Sequence, residues 1–198
     1  MNFAVFASGF GGNLQAIINA VKRRQIRADL KLVLSDRADA YALKRAQKAN
    51  VPTVFIDPKN FKDRESFDRV VVAILKREKI DFVVLAGFMR ILSPYFIKTF
   101  PNKILNIHPS LLPAFKGARA IHDAFDYGVK ATGVTVHFVD EAVDNGAIIL
   151  QESILIKPTD TLKSLEKKIH SVEHKLYPKA IDLFARGKLR VRGRKEKN

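Results

Sequence analysis

Short apolar runs alternate with stretches of helical periodicity along the first half of the chain, and that alternation restricts the fold more than any other feature. Phe3 to Ala7, Leu30 to Leu34, Thr53 to Ile56, Phe82 to Ala86 and Lys103 to Ile107 read as buried strands. Between them, Leu14, Ile17, Ile18 and Val21 recur at helical spacing, a helix is expected around Ala40 to Ala49, and a long amphipathic helix over Asp63 to Lys79 turns Phe67, Val70, Val71, Ile74 and Leu75 inward. Ser93-Pro94 reads as the N-cap and first residue of another helix. Strands separated by helices demand a parallel sheet covered on both faces, so the expected class is α/β with a Rossmann-like, mostly parallel sheet. The pattern changes after Lys116-Gly117-Ala118-Arg119 and a helix ending near Gly128. Gly133 to Val139 alternates as a strand, Asp140 to Gly146 is an acidic loop, and Ala147 to Ile156 is another strand, which together make an antiparallel C-terminal pair. A helix over Thr161 to Ala185 follows, with Leu162, Leu165, Ile169, Val172 and Leu176 on one face and Pro178 as the point where it could break.

Two stretches carry chemistry. Ser8-Gly9-Phe10-Gly11-Gly12-Asn13 lies between a strand and a helix, where glycines admit close backbone approach and free N–H groups at the helix start attract anions. Gly9 and Gly11 are spaced as in a dinucleotide fingerprint and Asp36 ends the second strand, but Leu14 fills the third glycine position, which favours a phosphate cradle over a dinucleotide site. Asn106-Ile107-His108-Pro109-Ser110-Leu111-Leu112-Pro113 ends a strand. Alternate strand residues share a face, so an amide and an imidazole project together at the C-terminal edge, and two prolines hold the turn beyond them. Asp140, Glu141 and Asp144 are all candidates to partner His108, because a nearby carboxylate favours the charged imidazole as proton donor and oxyanion stabiliser. Spacing does not choose among the three, and Asp144-Asn145-Gly146 is also ordinary hairpin-turn composition. His170 and His174 stand four apart, but Ser171 occupies the position where a helical zinc protease motif needs Glu, so a polar patch or substrate contact is expected rather than metal. His122 and His137 have no evident partner in the sequence.

The 198 residues, 47% hydrophobic, suit one domain with a sizeable core. No apolar run is long enough to cross a bilayer and the start MNFAVFASG lacks an export signal, so a cytoplasmic location is expected. Without cysteine there is no thiolate nucleophile and no disulfide. The formal charge of +15 raises the question of nucleic acid, but no basic stripe interleaved with aromatics and no known nucleic-acid motif is present. Generic solvated charge is the first expectation, small anionic substrates the second and nucleic acid the third.

Taken together these residues resemble the folate-dependent phosphoribosylglycinamide formyltransferase family. The resemblance runs through Ser8 to Ile17, Leu85 to Pro94, Asn106 to Pro113, Gly133 to Phe138, Asp144 to Gln151 and Glu173 to Pro178, which is nearly the whole chain. It implies a single formyltransferase domain over 1–189 with a basic tail over 190–198, monomeric or homodimeric. It also implies transfer of a formyl group from the co-substrate 10-formyltetrahydrofolate to the amine of N1-(5-phosphoribosyl)glycinamide, in de novo synthesis of the purine IMP, without a metal. Asn106, His108 and Asp144 then correspond to the catalytic trio, with the first two stabilising a tetrahedral intermediate and Asp144 favouring the charged imidazole. Gly11, Gly12, Asn13, His170 and Glu173 correspond to the nucleotide site. Arg64, Met89, Arg90, Ile91, Leu92, Asn106 and Asp140 correspond to the folate site. Members often carry Ser at the place of Gly12, and the segment Lys116 to Ile121 departs from a His-bearing version in bacterial members. Related enzymes acting on a nucleotide sugar, on initiator tRNA or on water are expected to carry other acceptors or added domains, and a nucleic-acid module would use the basic tail without catalysis.

Overall fold

The computed structural model describes residues 1–192 and 195–197, with side chains described through residue 189. Its strands are β1 (Asn2–Phe6), β2 (Asp29–Ser35), β3 (Thr53–Phe55), β4 (Phe82–Leu85), β5 (Ile104–His108), β6 (Ala131–Phe138), β7 (Ile148–Leu155), β8 (Arg190–Arg192) and β9 (Lys195–Lys197). They form one sheet in the order β3-β2-β1-β4-β5-β6-β7-β9-β8. The five strands from β3 to β5 are parallel, and β6 and β7 continue the sheet antiparallel to their predecessors. The α/β class and the antiparallel C-terminal pair agree with the sequence reading. Of the expected basic tail over 190–198, residues 193, 194 and 198 lie outside the described residues.

Helices α1 (Gly12–Lys22), α2 (Tyr41–Lys48) and α6 (Leu162–Ala185) cover one face. There Leu14, Ile17, Ala42, Ile169 and Tyr177 pack on Val5, Val33, Val84, Leu105 and Val136. Helices α3 (Arg64–Arg77) and α4 (Pro94–Thr99) cover the other, where Phe67, Val71, Leu75 and Phe96 meet Phe6, Leu34, Val83 and Ile104. Strand residues therefore alternate between two apolar layers, as burial on both faces of a parallel sheet requires. A smaller helix, α5 (Ala120–Tyr127), precedes β6.

Two expectations need correction. Val70 is 42% exposed, and Val72 turns inward instead, because the stripe of α3 is set by Phe67, Val71 and Leu75 at four-residue spacing and Val70 falls beyond its edge. Helix α6 continues through Pro178. The missing N–H costs one helical bond there, but Pro178 is buried and the adjacent Tyr177 hydroxyl lies 2.7 Å from the Leu85 carbonyl and 3.0 Å from that of Leu105, so packing against the sheet holds the helix together. Among the described residues no helix is long and apolar enough to cross a membrane.

Candidate active site

The chain leaves β1 toward β2 on one side and returns to β4 on the other, so β1 and β4 flank the point where the strand order reverses. In open α/β sheets a crevice opens at the C-terminal ends of such strands. The glycine turn after β1, the 87–92 loop after β4 and the end of β5 all lie on that edge.

At the end of β5, Ile107 and Leu105 face the α6 layer, while Asn106 and His108 share the opposite face as the strand period demands. His108 is only 4% exposed. Its Nε2 donates to the Phe115 carbonyl at 2.8 Å, and Nδ1 lies 3.4 Å from Asp144 Oδ2. Asn106 Nδ2 is 3.5 Å from Asp144 Oδ1 and 3.2 Å from His137 Nε2. The three residues named by the resemblance thus lie together, with Asp144 as the carboxylate in contact with both Asn106 and His108. The backbone of Asp144 adopts φ +48, a left-handed conformation that aspartate tolerates, and the Gly117 N–H donates to Oδ2 at 2.9 Å. Just beyond, a Cβ on Gly146 would sit 1.8 Å from the Phe138 carbonyl, so only glycine lets the loop double back on β6. Hairpin turn and site acid are therefore the same residues. Burial alone would push the Asp144 carboxyl up, but the His137 imidazole, the Gly117 N–H and the neighbouring His108 outweigh it and hold the group at about 2.

His137, which the sequence left without a partner, belongs to this cluster. It pairs with Asn106 across the β5–β6 ladder, is 1% exposed, and donates from Nδ1 to the Phe138 carbonyl at 2.8 Å. Its Nε2 faces both the Asn106 amide at 3.2 Å and Asp144 Oδ1 at 3.7 Å. The turn after His108 is pinned separately. Thr135 Oγ1 donates to the Ser110 carbonyl at 2.7 Å, and the Leu112 N–H and Gln151 Nε2 donate to Thr135 at 3.1 and 2.9 Å.

A second group gathers at the start of α1. Gly11 is the N-cap in the left-handed conformation, with φ +76. Asn13 Nδ2 donates to Glu173 Oε2 at 3.2 Å and the same oxygen meets His170 Nδ1 at 2.8 Å, so residues 160 positions apart in sequence are joined. The Glu173 hydrogen bond raises the His170 imidazole above its ordinary value, whereas burial lowers that of His174. Outside this turn, between α1 and α6, a groove of about 760 Å³ is lined by Gln15, Arg23, Arg45, His174, Lys175 and Lys179. It lies beside Gly12 and does not include the Asn106 cluster.

The remaining expected residues lie on neighbouring elements. Arg64 begins α3, and Met89 and Ile91 are 69% and 57% exposed, while Leu92 is buried. The Arg90 guanidinium lies over the Phe67 ring, 4.5 Å from its centroid. Asp140 accepts from the Ala142 N–H at 3.0 Å and from Asn145 Nδ2 at 3.2 Å, which shapes the loop that carries Asp144. Among the described residues no group of three or more His, Cys, Asp or Glu side chains has the arrangement of a metal site.

A family profile described as formyl transferase matches residues 1–181. The chain is 41% identical over 179 residues to a phosphoribosylglycinamide formyltransferase of Bacillus subtilis, covering 90% of this chain and 92% of that protein. It is 46% identical over 188 residues to the trifunctional purine biosynthetic protein adenosine-3 of Gallus gallus, spanning 95% of this chain but 19% of that much longer protein. Among solved structures, glycinamide ribonucleotide transformylase 1 from Symbiobacterium toebii superposes with a TM-score of 0.97 at 44% identity, covering all of this chain and 93% of that one.

Proposed function

Because the chain belongs to the formyl transferase family, we propose that it moves the formyl group of 10-formyltetrahydrofolate to the primary amine of N1-(5-phosphoribosyl)glycinamide, a step toward IMP in de novo purine synthesis. The names borne by the Bacillus subtilis and Symbiobacterium toebii proteins support this choice of reaction. The observation that carries it is the part-buried cluster of Asn106, His108 and Asp144 at the sheet's C-terminal edge.

The amine nitrogen adds to the formyl carbon, and the carbonyl electron pair moves onto oxygen. The C–N bond to the folate then breaks as the oxygen reforms its double bond. The amine gives up a proton and the folate nitrogen gains one, so no net charge is left. The step needs donors aimed at the developing oxyanion. His108 Nε2 is committed to the Phe115 carbonyl, so the protonated ring offers Nδ1–H, whose 3.4 Å contact with Asp144 is longer than a close charge-assisted bond. Asn106 offers the amide hydrogen held only by the 3.5 Å contact to Asp144 Oδ1. Asp144 stays ionised and stabilises the imidazolium while both donors turn to the substrate.

Gly11, Gly12 and Asn13 offer backbone N–H groups to the phosphate, and Glu173, oriented by His170 and Asn13, accepts from substrate hydroxyls. Arg64, the 89–92 loop and Asp140 border the folate. A net charge of +15 and the basic groove beside Gly12 steer anionic substrates inward, an effect that salt weakens.

The test is to incubate the protein with 10-formyltetrahydrofolate and follow deformylated folate with and without glycinamide ribonucleotide. Product that requires the nucleotide is the expected result. Product without it would assign a hydrolase, and none under either condition would overturn the reading.

A further inference from the structure

The 87–92 loop is fastened at both ends by buried polar side chains that belong to neither the catalytic trio nor the nucleotide end. At its start, Ser8 Oγ accepts from the Met89 N–H at 2.9 Å and donates to Asp36 Oδ1 at 2.6 Å, and the Ser8 N–H donates to the Gly87 carbonyl at 3.0 Å. Ser8 is 4% exposed. At its end, the Ser93 N–H donates to Asp68 Oδ2 at 2.6 Å, with both residues almost wholly buried. Asp68 stands among Phe67, Val71 and Val72 on the inward stripe of α3, where an apolar side chain would be the ordinary choice. Burial pushes its carboxyl above the ordinary value, against the Ser93 hydrogen bonds and the charges of Arg90 and Arg64. Of the loop's own apolar side chains, Leu92 is buried and Phe88 packs edge-on against Phe6, whereas Met89 and Ile91 are exposed and leave the middle of the loop to its polar tethers.

We propose that Ser8 and Asp68 are positioning residues for the folate half of the site: they fix the amides of Met89 and Ser93, and thereby the backbone against which the flat heteroaromatic ring is held. This rests on the formyl-transfer reading only for the identity of the ligand. A planar ring with hydrogen-bonding edges is selected by backbone groups at fixed spacing, and a loop displaced by about 1 Å loses that match. Ser8 does this from the turn that joins β1 to α1. Asp68 does it from the helix that carries Arg64, so one rigid element sets both the loop and the folate-side arginine.

The experiment compares the protein with its Ser8→Ala, Asp68→Ala and Asp68→Asn variants. Tetrahydrofolate binding is measured by titration, KM for each substrate by steady-state kinetics, and amide exchange of the ligand-free protein by mass spectrometry or NMR. In the two alanine variants the tetrahydrofolate Kd and the KM for 10-formyltetrahydrofolate rise about tenfold, while KM for the nucleotide stays within about twofold. Asp68→Asn retains an acceptor for the Ser93 N–H and binds folate nearly as the wild type does. Exchange accelerates at Met89 in Ser8→Ala and at Ser93 in Asp68→Ala. Should Asp68→Ala fail to fold, Ser8→Ala and Asp68→Asn carry the same comparison. Equal loss of both substrates, unchanged folate affinity, or a wild type that does not bind tetrahydrofolate would overturn the proposal. Folate binding that weakens in the variants of a protein unable to formylate the nucleotide would sustain the tether and remove only the transfer reading.

Discussion

His108 and Asp144 meet at 3.4 Å through Nδ1 and Oδ2, while the opposite ring nitrogen of His108 is bound to the Phe115 carbonyl at 2.8 Å. The carbonyl fixes the orientation of the ring and the carboxylate stands at its other nitrogen, so each ring nitrogen has its own partner. His108→Ala removes the donor and Asp144→Asn removes the countercharge with almost no change in shape. Each is expected to lower kcat by about a hundredfold or more, the usual consequence of losing an oxyanion donor. Circular dichroism checks that both variants keep the native fold. Near-normal turnover in both would exclude these roles.

Asp144 also links the site to acid stability. Its carboxyl is held at about 2 in the fold, against 3.8 ordinarily, so on acidification the unfolded chain takes up the proton first. The stabilisation is full above about pH 4 and is lost as pH falls through 2; a shift of that size is worth roughly 2 kcal/mol. Asp144→Asn lacks this contribution. Urea unfolding of the two proteins at pH 6 and at pH 2.5 should therefore show a difference in stability that narrows at the lower pH. A difference independent of pH would mean that the carboxyl is not held low.

His137 braces both Asn106 and Asp144. His137→Phe fills the space but withdraws Nε2 from Asn106 at 3.2 Å and from Asp144 at 3.7 Å, and one neutral hydrogen bond is worth about 1 kcal/mol. Turnover is expected to fall roughly fivefold, far less than in His108→Ala, with KM for the nucleotide unchanged. Steady-state kinetics decide it; a loss as large as that of His108→Ala would place His137 among the reacting groups.

Much of this arrangement is legible from residue order alone, because buried parallel strands leave apolar runs of recognisable length and strand alternation puts Asn106 and His108 on one face. The choice of Asp144 over Asp140 and Glu141 is not legible from spacing. It depends on a loop whose course is set by the left-handed Asp144 and by Gly146 against the Phe138 carbonyl. His137 was hidden because its place beside Asn106 is a matter of antiparallel register, which no local pattern specifies. Asp68 did leave a signal, as a carboxylate one residue after Phe67 on an inward helical stripe, where a buried charge calls for a partner. Pro178 misled for the opposite reason: local propensity predicted a break that burial against the sheet overrides.

The two adjacent glycines at the start of α1 are expected to respond differently to a methyl group. Gly11 has φ +76, which costs an L-residue about 1–2 kcal/mol, and its Cβ would lie 2.9 Å from both Cα and Cβ of Ala42, so α2 would have to move. Gly11→Ala should lower Tm by roughly 5 °C or more. At Gly12 the nearest atom to a new Cβ is His174 Nε2 at 3.2 Å, the far end of an exposed side chain that can swing aside. Gly12→Ala and Gly12→Ser should therefore melt within about 2 °C of the wild type, as expected for a substitution at a yielding surface contact. Calorimetry on the three variants is the check, and a Gly12→Ala protein as unstable as Gly11→Ala would show that His174 is held in place rather than free to turn.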